Sequence, residues 1–326
     1  MRIAITGSSG LIGTACAARC LADGHDIVRF VRHELPQSDP ADAAKPPLRY
    51  RGLPRYAPKP KPVEKYALWD PEQGEMDAFL LEGVDAVVHL AGANIGEGRW
   101  TYERKAEILE SRVQGTRTVC ETIARLQAPP KVLVSASAIG WYGDRGDEFL
   151  DEDSDPGEGF LAEVCREWEA ATQPAWSAGI RVVLLRFGVV LDARQGALAR
   201  MLPVFRAGYG GRIGSGRAYM SWIAIEDAAS AIAFCIETPS LAGPVNAVAP
   251  TPVTNAEFTR ALAEAVGKSP FLPVPAFALR MMFGEMADEL MLSSARVMPE
   301  RLATAGFMFK HPTIEAGLRA AFSRRG

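Results

Sequence analysis

The residues best suited to bind a ligand form a glycine-rich stretch, TGSSGLIG, that runs from Thr6 to Gly13. It follows a short apolar run at residues 3–6 and precedes an amphipathic run at 11–22, which predicts a strand, a tight turn and a helix. In that arrangement the glycines let a pyrophosphate approach bare backbone, and the helix N-terminus faces the phosphates. We therefore predict a dinucleotide site, the alternative being a structural β–α turn. The predicted contacts are Gly7, Ser9, Gly10, Leu11, Ile12 and Gly13.

The position about twenty residues beyond the glycines decides which dinucleotide fits, because a carboxylate there accepts from a ribose hydroxyl and an arginine pairs with a 2′-phosphate. The second predicted strand ends in Val31 and Arg32, which favours NADP(H). Glu34 lies close by, so NAD is the alternative cofactor, and a solvated strand-end charge is the alternative role for Arg32.

Further cleft residues follow from the rule that ligands lie across the carboxyl ends of parallel strands. Three later predicted strands end in mostly small residues that would let the cofactor approach the backbone, although ordinary packing is the alternative for each. The strand-end residues predicted to line the cofactor are Leu90, Ala91, Gly92, Ser135, Arg186, Gly188 and Val190.

These residues are placed by elements that alternate along the chain, as expected of β-α-β units. We predict strands at 3–6, 27–31, 84–90, 132–135 and 181–185, and helices at 11–22, 101–126 and 157–177. Right-handed crossovers then give an α/β fold, a Rossmann-type doubly wound parallel sheet. A capped helix start at Thr254 marks a change of character, so residues 1–250 are the predicted cofactor domain. Residues 251–326, with a last helix near 313–322, form a smaller, mainly helical C-terminal domain that contributes to the substrate cleft.

Residues 36–62 interrupt this order with eight prolines among six basic side chains. A compact unit would place only a short connection there. We predict an exposed insertion, with a flap over the binding cleft as the alternative.

The charge balance excludes some partners. The 326 residues carry 36 basic and 39 acidic side chains, a net charge of −3, so no cationic excess is available for nucleic acid or anionic lipid. With no signal-like or long apolar stretch, we expect a cytoplasmic protein. Five scattered cysteines and four histidines predict buried thiols and no metal site. The oligomeric state stays open.

Several longer segments resemble the extended short-chain dehydrogenase/reductase superfamily, most closely its atypical epimerase-like branch with an added C-terminal helical domain. The resemblance spans nearly the whole chain. It implies a protein of the nucleoside-diphosphate-sugar epimerase type that binds NADP(H), and some relatives carry a cell-division label. By that similarity Glu107 and Arg112 would join the cofactor shell. The matching segments are LAGANIGEGRW at 90–100, SRVQGT at 111–116, SASAIGWYGD at 135–144, GFLAEVCREWE at 159–169 and PVTNAEF at 252–258.

The usual catalytic pair of that superfamily, a tyrosine followed four residues later by a lysine, is absent. None of the seven tyrosines has a lysine at that spacing, and the helix expected to carry the pair begins Phe160-Leu-Ala-Glu163. The lysine normally lowers the pKa of the phenol, so the usual acid–base mechanism is in doubt. Ser137 and Tyr142 are the candidate catalytic residues, with packing as the alternative for the phenol. Cys165 is expected in the core.

A glycine-rich loop after the strand predicted at 181–185 carries Arg212 and Arg217, which would suit a phosphate or carboxylate or else be solvated surface. A capped helix is predicted from Ser221. Two functions are consistent with these residues. The first is an NADP(H)-dependent epimerase or reductase acting on a small polar, nucleotide-linked or other, substrate. The second is a catalytically silent NADPH-binding sensor that uses its cofactor to hold a surface for a partner.

Overall fold

The computed structural model describes residues 1–32, 61–270 and 273–323. The predicted insertion at 36–62 lies outside the described residues, apart from its last two. The strands are β1 (Arg2–Thr6), β2 (Asp26–Val31), β3 (Glu64–Asp70), β4 (Glu75–Met76), β5 (Ala86–His89), β6 (Val132–Ala138), β7 (Phe149–Leu150), β8 (Arg181–Phe187), β9 (Val189–Leu191), β10 (Tyr219–Met220), β11 (Trp222–Ala224), β12 (Gly243–Ala247), β13 (Val253–Thr254) and β14 (Arg296–Val297).

The helices are α1 (Leu11–Ala22), α2 (Ala78–Leu81), α3 (Tyr102–Ala124), α4 (Phe160–Ala170), α5 (Gln173–Ser177), α6 (Gly196–Arg206), α7 (Ile225–Glu237), α8 (Asn255–Ala265), α9 (Ala276–Phe283), α10 (Glu285–Ala287), α11 (Glu300–Thr304) and α12 (Ile314–Ser323). A 3₁₀ turn at Ile139–Tyr142 follows β6.

The described residues form an eight-stranded sheet in the order β12-β8-β6-β5-β1-β2-β3-β4, in which only the short β4 is antiparallel to its neighbour. The chain leaves β1 toward β2 on one side and returns to β5 on the other. The strand order therefore reverses between β1 and β5, which is where ligands bind in open parallel sheets. The predicted α/β, Rossmann-type doubly wound sheet is confirmed.

Two apolar layers cover the sheet because successive strand residues face opposite sides. Ile3, Ile5 and Val134 pack with the α1 and α7 side chains on one face. Ala4 and Leu133 pack with the α3 and α5 side chains on the other. Strands buried on both faces explain why the central runs are continuously apolar.

The C-terminal helices share a third core with α6 and β11. Trp222 packs so closely against α12 that a Cβ at Gly317 would lie 2.4 Å from its ring. The predicted cap at Thr254 is confirmed, since its hydroxyl accepts from the Glu257 N–H and the Glu257 carboxylate accepts from the Thr254 N–H. The boundary near residue 250 stays a prediction.

Two element predictions were wrong. The single helix predicted at 157–177 is split into α4 and α5, because Pro174 fits the first turn of a helix but not its interior. The helix predicted from Ser221 begins only at Ile225, because residues 222–224 pair with β9 as strand β11. The Ser221 hydroxyl bonds the Ala295 carbonyl and caps no helix.

A buried histidine stands beneath the glycine turn. His89, at the end of β5, is fully buried, and its Nδ1 shares a hydrogen bond of 2.7 Å with the Thr6 hydroxyl at the end of β1. The Trp69 and His89 rings are perpendicular, with their centroids 6.0 Å apart. Within the described part of the chain its Nε2 has no hydrogen-bond partner. Burial without a charged partner lowers the pKa of His89 to about 4.

We expect this histidine to limit stability in acid. In the unfolded chain His89 takes up a proton near pH 6.5, whereas in the folded protein it does so only near pH 4. The free energy of unfolding therefore carries no penalty from His89 above pH 6.5, and it decreases as the pH falls from 6.5 to 4. The shift corresponds to about 3 kcal/mol. Urea unfolding of His89→Gln against pH should lack most of this loss, while His25→Gln should retain it. An unchanged pH dependence in His89→Gln contradicts the assignment.

Candidate functional site

The glycine turn between β1 and α1 has the close backbone contacts that demand glycine. Gly7 has a φ of +65°, and a Cβ there would lie 2.6 Å from the Leu90 carbonyl carbon. A Cβ at Gly13 would lie 2.1 Å from the Gly7 oxygen, so helix and turn touch directly. Gly10, in contrast, is exposed, and its Cβ would meet only the Gly7 oxygen, at 3.3 Å. Gly7 and Gly13 are thus required by packing, whereas a side chain at Gly10 would meet one backbone atom and otherwise open space.

The N-terminus of α1 is open toward this turn. Gly10 is the N-cap, no side chain caps the helix, and its first turn has no acidic residue. Ser9 is exposed, and Leu11 and Ile12 are half-buried. Arg29 of β2 donates to the Ser8 carbonyl at 3.0 Å and so holds the turn from below. Uncapped backbone N–H groups with the positive end of the helix dipole suit a phosphate, so the residues present fit a dinucleotide.

Arg32 lies at the exposed end of β2, and Val31 before it is half-buried. A cavity of about 860 Å³ lies beside the guanidinium and is bordered by Leu68, Trp69 and Asp70 at the end of β3. The cavity also extends along the sheet edge to Arg125 near the end of α3, away from the glycine turn. Arg32 is therefore placed to contact a ligand that leaves the turn toward β3.

The next strand end is formed by Leu90, Ala91 and Gly92, and Gly92 is exposed. Leu90 touches Gly7, as described above. The Ser111 hydroxyl of α3 accepts from the Ala93 N–H at 3.1 Å and fixes the start of the following loop. These residues border the cleft opposite β2.

A buried ion pair lies at the ends of β6 and β8. Arg186 donates two hydrogen bonds to the Glu169 carboxylate, at 2.8 and 2.9 Å, and the two side chains are 3% and 8% exposed. The Ser137 hydroxyl donates to the same carboxylate at 2.6 Å. Trp141 stacks on the guanidinium, with Cζ 3.9 Å from the ring centroid. Arg186 lies in the core, where Glu169 neutralises it, and its predicted contact with the cofactor stays a prediction. Ser135 is fully buried as well.

Tyr142 extends this network away from the cleft. Its hydroxyl oxygen accepts from the Arg186 Nη1 at 3.0 Å, its O–H donates to the Asn246 Oδ1 at 2.8 Å, and the residue is 0% exposed. Burial raises the pKa of the phenol to about 12, against the lowering effect of Arg186. Of the two interpretations of Tyr142, the burial agrees with packing, because the 3₁₀ turn directs the phenol into the core.

Arg112 of α3 lies directly against the strand end at Gly92. A Cβ on Gly92 would be 3.4 Å from the Arg112 Cζ, so the absence of a side chain makes room for the guanidinium. Its Nη1 donates to the Ile108 carbonyl at 3.0 Å, and its Cζ lies 5.0 Å from the Trp168 ring centroid. Cys165 is buried beside it, and burial raises the pKa of that thiol to about 11. Glu107, predicted with Arg112 in the cofactor shell, is exposed and pairs with Arg104 at 2.5 Å.

The opposite side of the cleft comes from β9 and α6. Gly188 is required by packing, since a Cβ would lie 2.7 Å from the Ser221 carbonyl oxygen, and Val190 follows it half-buried. Arg200 of α6 donates to the Gly96 carbonyl in the loop after β5, so a side chain bridges the two sides of the cleft. Arg212 and Arg217 are exposed.

Glu169 and Arg200 were not assigned roles from the sequence. Glu169 had a usable signal, because α4 buries Leu161, Val164 and Trp168 beside it and β8 is otherwise apolar around Arg186. A single acidic residue on the buried face of a helix and a single basic residue in an apolar strand predict a buried ion pair, here between Glu169 and Arg186. Arg200 had no such signal, since its partner is a loop carbonyl.

In residues 1–32, 61–270 and 273–323, no group of three or more histidine, cysteine or acidic side chains could hold a metal ion. The same residues include no helix with the length and apolar character needed to cross a membrane.

Comparison with known proteins gives matches along most of the chain. Residues 3–248 match the NAD dependent epimerase/dehydratase family, and residues 274–321 match a domain of unknown function, DUF1731. Epimerase family protein Mb2239 of Mycobacterium bovis is 43% identical over 324 residues, which cover 99% of this chain and 98% of that protein. Epimerase family protein YfhF of Bacillus subtilis is 33% identical over 328 residues, which cover 100% of this chain and 99% of that protein.

Among solved structures, human epimerase family protein SDR39U1 (isoform 2) with NADPH is similar with a TM-score of 0.84 and 30% identity. The match covers 99% of this chain and 100% of that one. MoeE5 in complex with UDP-glucuronic acid and NAD has a TM-score of 0.70 at 18% identity, over 98% of this chain and 97% of that one. The latter likeness concerns the fold alone.

We expect the Glu169–Arg186 pair to be essential for stability. Glu169→Gln leaves a buried guanidinium without its counter-charge and should lower the free energy of unfolding by about 3 kcal/mol or more. Glu121→Gln, which removes the exposed carboxylate that pairs with Arg125, should change it by less than about 1 kcal/mol. Urea unfolding measures both. If the two substitutions lower the free energy of unfolding equally, the buried ion pair contributes no more to stability than the exposed one.

Proposed function

This chain belongs to the NAD-dependent epimerase/dehydratase family, and we propose that it is an NADP(H)-dependent enzyme of the epimerase or reductase type acting on a small polar substrate, with nucleotide sugars as one class. The observation that carries the proposal is the uncapped N-terminus of α1 beneath an exposed Gly10. Such a terminus at the reversal point of a parallel sheet suits a pyrophosphate. The NADPH in the similar human protein supports the choice of cofactor.

Residues on both sides of the turn would hold the cofactor. The backbone of Ser9, Gly10, Leu11 and Ile12 would receive the pyrophosphate, and Arg32 would pair with a 2′-phosphate. The exposed strand end at 90–92 and Val190 would border the middle of the cofactor. When bound, the nicotinamide would supply or accept the hydride.

The side chains of this protein would position the substrate and move protons. Ser137 is fixed by its hydrogen bond to Glu169, so its hydroxyl proton is already directed at a carboxylate. Binding of a substrate at the end of β6 would require this buried oxygen, which also interacts with the Cys165 thiol, to accept a hydrogen bond from a substrate hydroxyl. Tyr142 acts as a positioning residue, because it holds the Arg186 that neutralises Glu169.

A second candidate is an NADPH-binding sensor without turnover. The missing tyrosine–lysine pair and the burial of Ser137 and Tyr142 favour it. Loss of NADPH absorbance with carbonyl compounds or sugar nucleotides would support the enzyme. Tight NADPH retention without turnover across that set, together with a co-purifying protein, would support the sensor.

We predict that NADPH binds more tightly than NADH because Arg32 ends β2. A charge-assisted hydrogen bond contributes about 1.5–3 kcal/mol. Calorimetric titration should show that Arg32→Ala weakens NADPH by about tenfold or more and leaves NADH nearly unchanged. Arg117→Ala, on the exposed side of α3, serves as the control. Equal affinities of the wild-type protein for the two cofactors would refute the preference.

If a substrate is found, Ser137→Ala should reduce kcat/KM by about 10²-fold, the lower range for a group that takes part in proton transfer. Tyr142→Phe should act mainly on stability, by about 1 kcal/mol, because it removes one buried hydroxyl. Steady-state kinetics and urea unfolding of the two variants separate these effects. Full activity of Ser137→Ala removes this serine from the mechanism.

A further inference from the structure

The segment 276–292, which contains α9, α10 and a π-helical turn, is anchored to the rest of the protein at both ends. Before it, the Val274 N–H donates to the Arg212 carbonyl at 2.8 Å. After it, the Ser294 N–H donates to the Asp144 carboxylate at 3.0 Å. A segment with two fixed ends can move as one body if the contacts along its length break.

The segment is held together from within. α9 and α10 pack mainly against each other and against the turn that follows. Arg280 pairs with Asp288 at 2.8 Å, so the first helix is tied to this turn. Among the described residues, its buried side chains belong to none of the cores that cover the sheet or join the C-terminal helices. The segment therefore forms a small unit of its own on the surface of the main body.

Three polar links join this unit to the elements around the cleft, and they recur at every fourth position of the segment. The Met281 carbonyl accepts from Arg99, in the loop after β5, at 2.7 Å. The Glu285 carboxylate accepts from Lys105, in the first turn of α3, at 2.8 and 3.1 Å. The Glu289 carboxylate accepts from the first two backbone N–H groups of α4, at 3.1 and 3.2 Å.

The partners of these links lie where ligands bind in a parallel sheet. The loop after β5 and the start of α3 follow the carboxyl end of one strand, and α4 begins after the carboxyl end of the next, β6. The Phe160 ring joins them, because the Lys105 ammonium lies 4.5 Å from its centroid and the Trp100 ring 5.2 Å from it. The segment thus crosses the cleft above the ends of β5 and β6.

We propose that the segment 276–292 is a lid over this half of the cleft, and that it opens as one body when its three links break together. Arg99 is exposed, and the Lys105 and Glu285 side chains are 30% and 46% exposed, so water can replace these contacts at small cost. The open lid admits a substrate, and the closed lid excludes water from it. The inference rests on the proposed function in one respect, that ligands bind in this cleft.

The amides of Phe160 and Leu161 report the opening of the lid. The first amides of a helix have no acceptor within the helix, so the exchange protection of these two depends on Glu289. Their hydrogen exchange, measured at single residues in the full-length protein, follows the fraction of open molecules. The amides of Cys165 and Trp168 lie deeper in α4 and serve as the internal reference.

The first experiment removes one link at a time and leaves Glu289 in place. Arg99→Ala and Glu285→Ala should each speed exchange of the two reporter amides by about two- to fivefold, the effect of losing one exposed polar contact. The reference amides should not change. Glu121→Ala removes the exposed ion pair with Arg125 and should leave the reporters as in the wild type.

Unchanged exchange of the reporters in Arg99→Ala or in Glu285→Ala overturns the proposal, because the links then open independently. Circular dichroism shows whether each variant is folded. Glu285→Gln, which also removes the charge of the ion pair, replaces Glu285→Ala if that variant is not folded.

The second experiment repeats the exchange measurement on the wild type with saturating NADPH. The cofactor positions proposed above place the nicotinamide beyond the strand end at 90–92, under the lid. A filled cleft should favour the closed state and slow exchange of the reporter amides by about twofold or more. If NADPH binds and this exchange is unchanged or faster, the segment is not a lid over the ligand. If NADPH does not bind, the proposed function is wrong, and the first experiment still decides whether the segment opens as one body.

Discussion

The ion pair between Glu169 and Arg186 is the interaction on which the cleft depends. It joins α4 to β8, orients the Ser137 hydroxyl at the end of β6, and reaches Asn246 of β12 through Tyr142. Two charges in a nearly dry site stabilise a fold only when every hydrogen-bonding atom is satisfied. Here the carboxylate accepts three hydrogen bonds and the guanidinium also stacks on Trp141. The strand ends of the cleft floor are thereby kept in one arrangement.

This pair also explains how charge is distributed in the cleft. Because the Glu169 carboxylate is paired with Arg186, it is not available to the Arg112 guanidinium on α3. The phenol and lysine of related enzymes have no counterpart here, and the groups that remain are a hydroxyl tied to a carboxylate and an unpaired guanidinium. Neither group is a base at neutral pH, so neither replaces a phenolate in removing a proton.

The sequence predicted those structural features that depend on residues close together in the chain. The glycine turn, α1 and the capped start of α8 each depend on residues within a few positions, and they were found where the sequence indicated. The division between α4 and α5 is also local, because Pro174 fits only the first turn of a helix. β11 could not be predicted, because three residues become a strand only through pairing with β9, more than 30 positions earlier. The direction of Tyr142 depends on Asn246, 104 residues later, and this distance hides it from any local pattern.

One contact between the middle of the chain and a residue 129 positions later affects how the protein is made. The first backbone N–H groups of α4, those of Phe160 and Leu161, donate to the Glu289 carboxylate at 3.1 and 3.2 Å, and Gly159 leaves the space for it. Their partner is 129 residues further along the chain. When the ribosome has synthesised residues 3–248, which match the epimerase family, it has not yet added Glu289. At that stage the first backbone N–H groups of α4 lack the carboxylate that accepts from them. The helix that holds Glu169 can reach its final state only after Glu289 has emerged, at the start of about the last eighth of the chain, and premature termination before Glu289 should leave a product that chaperones and proteases recognise.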